Sequence, residues 1–120
     1  MIIQQAHVSR GVAHFASRFL SNYGLRPMDA PDEPLVMFGM YYDADYQVLI
    51  DHKAPVTIVW CGVDSAWISK HGYMAVVNSG ARNIAALAGI QANLKKTGLT
   101  FESHRVTAAD LSIQPIPNGD

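Results

Sequence analysis

Two apolar runs, each ended by a glycine, constrain the fold of this chain more than any other feature. Residues 35–38 read Leu-Val-Met-Phe before Gly39, and residues 56–61 read Val-Thr-Ile-Val-Trp-Cys before Gly62. A run that is apolar on both faces is typical of a strand covered on both sides, as in a parallel sheet. Two such strands joined by a helix form a βαβ unit. The sequence therefore predicts a strand–helix–strand unit over residues 34–64.

The segment between the two runs has the features of a helix. Asp43 and Asp45 place negative charge where a helix N-terminus favours it. Lys53 is expected in the last turn, and Pro55 stops the helix before the second strand. The apolar stripe that this helix would bury consists of Tyr46, Leu49 and Ile50.

The N-terminal part of the chain carries a weaker pattern. Ser9 suits the N-cap of a helix over residues 10–23, and Gly24 suits the C′ position after it. Residues 2–3 are an apolar start that a short strand would explain, and residues 26–34, with three prolines and four charged residues, are expected to form an exposed loop. The apolar positions of the helix at helical spacing are Val12, Phe15, Phe19 (or Ala16) and Tyr23.

The stretch after Asp64 has two interpretations, because short apolar runs fit a strand or a buried helix. One interpretation has a strand at residues 73–77 and one long helix at residues 81–96. The other preserves a β-α-β-α order and uses Gly80 and Gly98 as stops, so we prefer it. Its elements are a helical region at residues 65–79 with a break at Gly72, a strand at residues 83–87 and a helix at residues 89–96.

The whole pattern predicts an α/β fold. Residues 101–106 would add a last strand, and the tail, residues 108–120, is expected to be irregular. The expected architecture is a Rossmann-like three-layer sandwich, with a mostly parallel sheet of four or five strands and helices on both faces. A length of 120 residues predicts a single domain over residues 1–120.

Composition excludes several classes of function. A net charge of −1 gives no electrostatic footprint for nucleic acid, and no apolar run is long enough to span a bilayer. With Cys61 as the single cysteine and no signal-peptide pattern at the N-terminus, we expect a cytoplasmic protein without a disulfide framework. The five histidines lack metal-ligand spacing, and P-loop, G-x-S-x-G and G-x-G-x-x-G motifs are absent, so we expect no metal and no cofactor.

The carboxyl ends of the two predicted strands are the candidate site, because ligands of open α/β sheets bind there. The glycines at these ends either let a ligand approach the main chain or simply end the strands. Asp64 either holds a sugar hydroxyl or acts as a base, or else caps the next helix. The aromatic residues nearby, Trp60 and Trp67 included, either stack on a sugar or belong to the core and its rim. The candidate substrate-binding residues are Gly39, Tyr41, Tyr42, Gly62, Asp64 and Ser65.

Several segments, taken in order, resemble the N-terminal domain of retaining, group 1 glycosyltransferases of the GT-B fold. Gly-Met-Tyr at residue 39 precedes an Asp-x-Asp-Tyr helix, then Asp-His-Lys at residue 51, then a strand that ends Trp-Cys-Gly-x-Asp at residue 64. The resemblance covers residues 34–120. Its further segments are residues 83–85, 94–98 and 101–103, and residues 115–120, which are similar to the linker to a second domain.

The resemblance implies the acceptor-side half of such an enzyme, whose second domain binds the nucleotide-sugar donor. We expect the chain to be inactive alone, with the donor domain missing from a gene fragment or present on another chain. A sugar or lipid-linked acceptor would meet a wall formed by Gly39, Tyr41, Gly62 and Asp64. No catalytic residue carries over, because neither the catalytic histidine nor the glycine-rich loop of the family has a match here.

Two other classes of function remain open. A stand-alone Rossmann-like module would use its aromatic loops as the interface of a homodimer or larger homo-oligomer. An independent small-molecule enzyme is the least supported class, because the sequence contains no recognisable nucleophile–base pair or metal set.

Overall fold

The structure of the chain is a computed structural model that describes residues 4–103, apart from the side chains of residues 17, 19 and 22. Within these residues five strands form one all-parallel sheet flanked by helices, which confirms the predicted fold class. The strands are β1 (Gln5–Val8), β2 (Arg26–Pro27), β3 (Leu35–Phe38), β4 (Val56–Val59) and β5 (Arg82–Ile84). The helices are α1 (Ala16–Tyr23), α2 (Asp43–Asp51), α3 (Lys70–Ser79) and α4 (Ala88–Thr97), with 3₁₀ segments at Arg10–Phe15 and Val63–Ala66.

The predicted central unit, β3-α2-β4, is confirmed with two differences at the end of the helix. Lys53 lies beyond α2, because the chain becomes extended at His52 and the Lys53 N–H donates to the carbonyl of Pro31, 2.8 Å away. Ile50 was predicted to be buried but is 48% exposed. The buried residues of α2 are Asp45 and Leu49, one turn apart, so Ile50 falls beside the buried stripe.

The strand order is β2-β1-β3-β4-β5. The chain therefore leaves β1 in one direction to reach β2, and crosses back to build β3, β4 and β5 on the other side. The carboxyl ends of β1 and β3 meet at this reversal, where the Ser9 N–H donates to the Phe38 carbonyl over 2.9 Å. In open α/β sheets, a reversal of this kind at the carboxyl ends of the strands is the usual ligand position.

The sheet is covered unequally on its two faces. Helices α2, α3 and α4 pack on one face, and α1 with the 3₁₀ segment before it packs on the other. The first face is built on Leu35, Met37 and Ile58 of the sheet, with Leu49, Val76, Ile90 and Leu94 of the helices. The second is built on Ala6, Phe38 and Val59, with Val12, Phe15, Leu20 and Tyr23.

The N-terminal part of the fold differs most from the prediction. A strand, β1, occupies residues that showed no apolar run, and the expected loop at residues 26–34 contains the short edge strand β2. The predicted helix over residues 10–23 begins as a 3₁₀ segment, because the backbone at Val12 leaves the helical region (φ −127°, ψ 25°). The predicted stop is correct, since Gly24 adopts the left-handed conformation. Residues 2–3 lie outside the described part of the chain.

The C-terminal part follows the preferred interpretation. Helix α3, strand β5 and helix α4 occur in the predicted order, and Gly80 and Gly98 end the two helices with positive φ angles. Gly72 lies inside α3 and does not break it. The Tyr46 ring packs where a Cβ atom would be, which explains a glycine at this position. Glu102 forms an isolated parallel bridge with Ile84, while the rest of the predicted last strand, residues 104–106, and the tail lie outside the described residues.

Candidate functional site

The loop after β3, residues 39–42, lies at the centre of the carboxyl edge of the sheet, between the loops that follow β1 and β4. All four of its main-chain N–H groups donate to acceptors within the protein. The Gly39 N–H bonds to the carbonyl of Val59, that of Met40 to Asp64, and those of Tyr41 and Tyr42 to Asp45. This loop therefore offers a ligand its side chains and leaves no free N–H group for an anion.

Asp64 holds the loop from the β4 side. Its carboxylate is fully buried and accepts four main-chain N–H groups: Met40 (3.0 Å) and Cys61 (3.2 Å) on Oδ2, Gly62 (2.7 Å) and Ser65 (2.9 Å) on Oδ1. Burial outweighs these bonds and raises the pKa of the carboxyl. The geometry favours a structural role for Asp64, because both oxygens are already occupied and shielded from solvent.

Asp45 holds the same loop from the β1 side. It is 2% exposed, and its Oδ2 accepts the Ser9 hydroxyl (2.7 Å) together with the two loop N–H groups. Its Oδ1 lies 2.8 Å from the Nε2 of His7, whose side chain is 24% exposed. Burial alone would raise the pKa of Asp45, but the bonds from His7, Ser9 and Tyr42 outweigh it and lower the pKa. The carboxylate is therefore kept ionised.

The His7, Ser9 and Asp45 side chains do not form a catalytic triad. A serine nucleophile needs a histidine that accepts its proton, whereas Ser9 donates directly to Asp45 and its oxygen accepts the Gly11 N–H. Cys61 is no better placed as a nucleophile, because burial and the Asp64 carboxylate raise the pKa of its thiol. Among the described residues, no group of three or more His, Cys, Asp or Glu side chains is arranged to hold a metal ion.

Tyr41 joins the loops that follow β1, β3 and β4. A Cβ atom added to Gly11 would lie 2.6 Å from the Tyr41 ring, and one added to Gly39 would lie 2.9 Å from it. The Tyr41 hydroxyl reaches the Gly62 position, 3.6 Å from where a Cβ atom would be. Burial, followed by the charge of Asp64, raises the pKa of this phenol, which stays neutral. The glycines at the strand ends therefore make room for Tyr41.

The solvent-facing part of this edge carries aromatic rings and one cation. Tyr42 is 43% exposed and Trp67 is 61% exposed. The Tyr41 ring contacts both, with its centroid 6.5 Å from that of Tyr42 and 6.2 Å from that of Trp67, and it makes a T-shaped pair with Trp67. The Arg10 guanidinium lies 4.9 Å from the Tyr42 centroid and makes no salt bridge with a described residue. We call Arg10, Tyr42 and Trp67 the aromatic edge.

The structure brings the sequence-predicted site residues together at one edge but gives them different positions. Tyr42 lies on the surface. The other predicted residues build the loops beneath it: Gly39, Tyr41, Gly62, Asp64 and Ser65. The Ser65 hydroxyl donates to the Gly62 carbonyl and accepts from the Asn93 side chain. Trp60 is fully buried, and its indole N–H donates to Asn83.

Sequence reasoning missed Arg10, His7 and the contact of Ser9 with Asp45, although the prediction of Ser9 as an N-cap is confirmed by the Gly11 N–H that its hydroxyl accepts. Arg10 had no visible signal, because its contact with Tyr42 spans two loops that are distant in the chain. His7 and Ser9 alternate with the apolar Ala6 and Val8, and this period of two is the signal that could have revealed the first strand and its polar face.

An open groove of about 760 Å³ lies at the opposite end of the sheet, where α2 and α3 end. Its lining includes Val56, the first residue of β4, Gly80 after α3, and Lys53. Helix C-terminal ends carry partial negative charge, which a lysine offsets. Lys53 is on the side of the groove where it can offset this charge, and the groove is separate from the candidate site.

The aromatic edge is thus a set of exposed side chains on a rigid loop framework. No described helix is both long and apolar enough to cross a membrane. The chain matches no family model, no curated protein and no solved structure.

Proposed function

We propose that this chain is the acceptor-side half of a glycosyltransferase-like protein and that it binds a sugar at the aromatic edge. The observation that carries the proposal is the exposure of Tyr42 and Trp67 at the carboxyl edge of the sheet, beside the reversal between β1 and β3. A cluster of exposed apolar side chains marks an interaction site, and aromatic faces suit the apolar face of a sugar ring. The resemblance of residues 34–120 to glycosyltransferase N-terminal domains supports the same assignment.

The rigidity of the loop framework supports binding. The loop after β3 is held by two buried carboxylates and by the Tyr41 ring, so Tyr42 and Trp67 are positioned before a ligand arrives. Prepositioned side chains lose less conformational entropy on binding. A sugar acceptor, free or lipid-linked, would lie on this edge.

In this proposal the chain binds without transferring a sugar by itself. The described residues form one sheet, whereas GT-B enzymes place the donor on a second Rossmann-like domain. Transfer needs a preorganised environment for the charge that develops on the donor, and the described residues offer no nucleophile in position for it. A second domain, on this chain's gene or on another chain, would supply the donor site.

The two tryptophans allow a direct test by NMR, because each indole N–H gives a separate resonance. We expect neutral and charged sugars to shift the Trp67 resonance, while that of the fully buried Trp60 serves as an internal control. Trp67→Ala should abolish binding and leave the fold intact, because Trp67 is 61% exposed. If none of the neutral or charged sugars shifts the Trp67 resonance, the proposal that this edge binds a sugar is wrong.

Calorimetry with UDP- and GDP-sugars tests the donor part of the proposal. The chain alone is expected to bind neither tightly. Tight binding of a nucleotide sugar would mean that the donor site lies on this chain, and the acceptor-side assignment would then fail.

A second candidate is a stand-alone module that forms homo-oligomers without enzymatic activity. The observation that favours it is that two further apolar side chains, Val63 and Leu87, are each 47% exposed and follow β4 and β5 at the same edge as Trp67. Such a surface suits a protein interface. Light scattering would show a dimer that Trp67→Ala converts to a monomer. A monomeric wild type at high concentration excludes this candidate.

A further inference from the structure

The aromatic edge combines rings with a single cation, and this pairing indicates which class of ligand it selects. The Arg10 guanidinium is exposed, lies against the face of Tyr42 and forms no salt bridge with a described residue. A guanidinium held over a ring by a cation–π contact keeps its N–H groups available to other partners. Those groups fit the oxygens of a phosphate or carboxylate in a bidentate arrangement.

The main chain of the loop after β3 does not compete with Arg10 for an anion. The four N–H groups of the loop after β3 are bonded within the protein, as are those of Gly11, Gly62 and Ser65 in the neighbouring loops. The carboxylates of Asp45 and Asp64 are buried and occupied by donors. Among the exposed side chains beside this loop, Arg10 is the cation in contact with an aromatic ring, and its guanidinium is the group placed to meet an anion.

We propose that the aromatic edge binds a sugar that carries an anionic group, with the ring on Tyr42 and Trp67 and the phosphate or carboxylate on Arg10. This inference rests on the proposed function and narrows its ligand from sugars in general to anionic sugars. Asp43, the exposed acid next to Tyr42, is the charge that opposes such a ligand.

The test is an NMR titration of the Trp67 indole resonance with four probes: glucose 1-phosphate, glucuronic acid, methyl glucoside and inorganic phosphate. We expect both anionic sugars to bind at least about tenfold more tightly than methyl glucoside, the gain typical of hydrogen bonds to a charged group. Inorganic phosphate should bind more weakly than glucose 1-phosphate, because it lacks the ring. The two anionic sugars distinguish phosphate from carboxylate as the preferred group.

Two charge variants at the aromatic edge are expected to change the affinity for glucose 1-phosphate in opposite directions. Arg10→Gln should weaken glucose 1-phosphate binding about tenfold and methyl glucoside binding by a smaller factor, because the neutral sugar has no anionic group for the guanidinium. Asp43→Asn should strengthen glucose 1-phosphate binding about twofold. Lys53→Gln is the matched control, because it removes one exposed positive charge at the opposite end of the sheet and should have no effect.

The outcomes separate this inference from the function on which it rests. If methyl glucoside binds as tightly as the anionic sugars, the charge inference is wrong while sugar binding stands. If inorganic phosphate binds as tightly as glucose 1-phosphate, the sugar ring contributes nothing to binding and the inference is overturned. The inference is also overturned if Lys53→Gln weakens glucose 1-phosphate binding as much as Arg10→Gln does. If no sugar shifts the Trp67 resonance, the proposed function and the inference both fail.

Discussion

The two sides of the loop after β3 are held by buried aspartates that work in different ways. On the β4 side, Asp64 accepts main-chain N–H groups alone, four of them. On the β1 side, Asp45 accepts two main-chain N–H groups and the side chains of Ser9 and His7. The two carboxylates have the same chemistry and similar burial, yet their pKa values shift in opposite directions.

The difference follows from what surrounds each carboxylate. At Asp64 burial dominates and raises the pKa, because the main-chain donors compensate incompletely for lost water. At Asp45 burial is outweighed by His7 and Ser9, which lower the pKa. A histidine can also exchange the roles of its ring nitrogens, whereas a main-chain N–H is always a donor. The hydrogen bonds on the β1 side can therefore rearrange when the carboxylate is replaced by an amide, whereas those on the β4 side cannot.

The largest expected effect is that of Asp64→Asn. The new amide group must face two main-chain N–H donors on whichever side it is placed, and two buried donors lose their acceptor. We expect the free energy of unfolding to fall by about 3 kcal/mol, measured by urea denaturation. A loss below that of Asp45→Asn would contradict the distinction between the two sides.

Gly11→Ala tests whether packing, apart from the carboxylates, holds the same loop. Its Cβ atom would lie 2.6 Å from the Tyr41 ring, so the ring must move, and overpacking of this kind costs about 2 kcal/mol of unfolding free energy. Gly89→Ala is the control, because nothing lies within 4 Å of its added Cβ and alanine favours the helix. Equal stability of the two variants would show that Tyr41 does not join the loops.

Asp45→Asn is expected to cost less, about 1 kcal/mol. The remaining oxygen can accept from Ser9 and the loop, while the amide group donates to His7 Nε2 if the histidine changes its tautomer. Urea denaturation gives the magnitude, and the His7 ring nitrogen shifts in NMR would report the tautomer. An unchanged tautomer together with a loss as large as that of Asp64→Asn would show that the β1 side does not adapt.

The smallest expected effect is a change in how the folding stability depends on pH. The pKa of Asp45 is lowered in the folded state, so its contribution to stability is full above the ordinary value of 3.8 and is lost as pH falls through the folded-state pKa. The raised pKa of Asp64 has the opposite sign: its ionisation reduces stability as pH rises above 3.8. Between pH 7 and pH 3 we expect Asp45→Asn to lose less stability than the wild type. A steeper loss in this variant would reverse the assigned direction.

The sequence predicted the structure correctly where the conformation of a segment depends mainly on its own residues. The apolar runs predicted β3 and β4, and glycines marked the ends of α1, α3 and α4, because left-handed φ angles suit glycine at a helix end. Local sequence failed at β1 and β2. The polar Gln5 side chain of β1 is buried by contacts with a distant loop, because it bonds to residues 29–30 and to the Glu33 carbonyl. The two residues of β2 form a strand through pairing with β1.

The same division applies to the site. The sequence by itself determined that glycine-ended strands would bring Tyr42 and Asp64 to one edge, because parallel strands align their carboxyl ends. The tertiary structure decided the roles: Asp64 and Asp45 became buried anchors, and Arg10 and Trp67 became exposed. Burial and long-range hydrogen bonds decide whether a carboxylate holds a loop or meets a ligand, and both depend on residues that only the folded chain brings together.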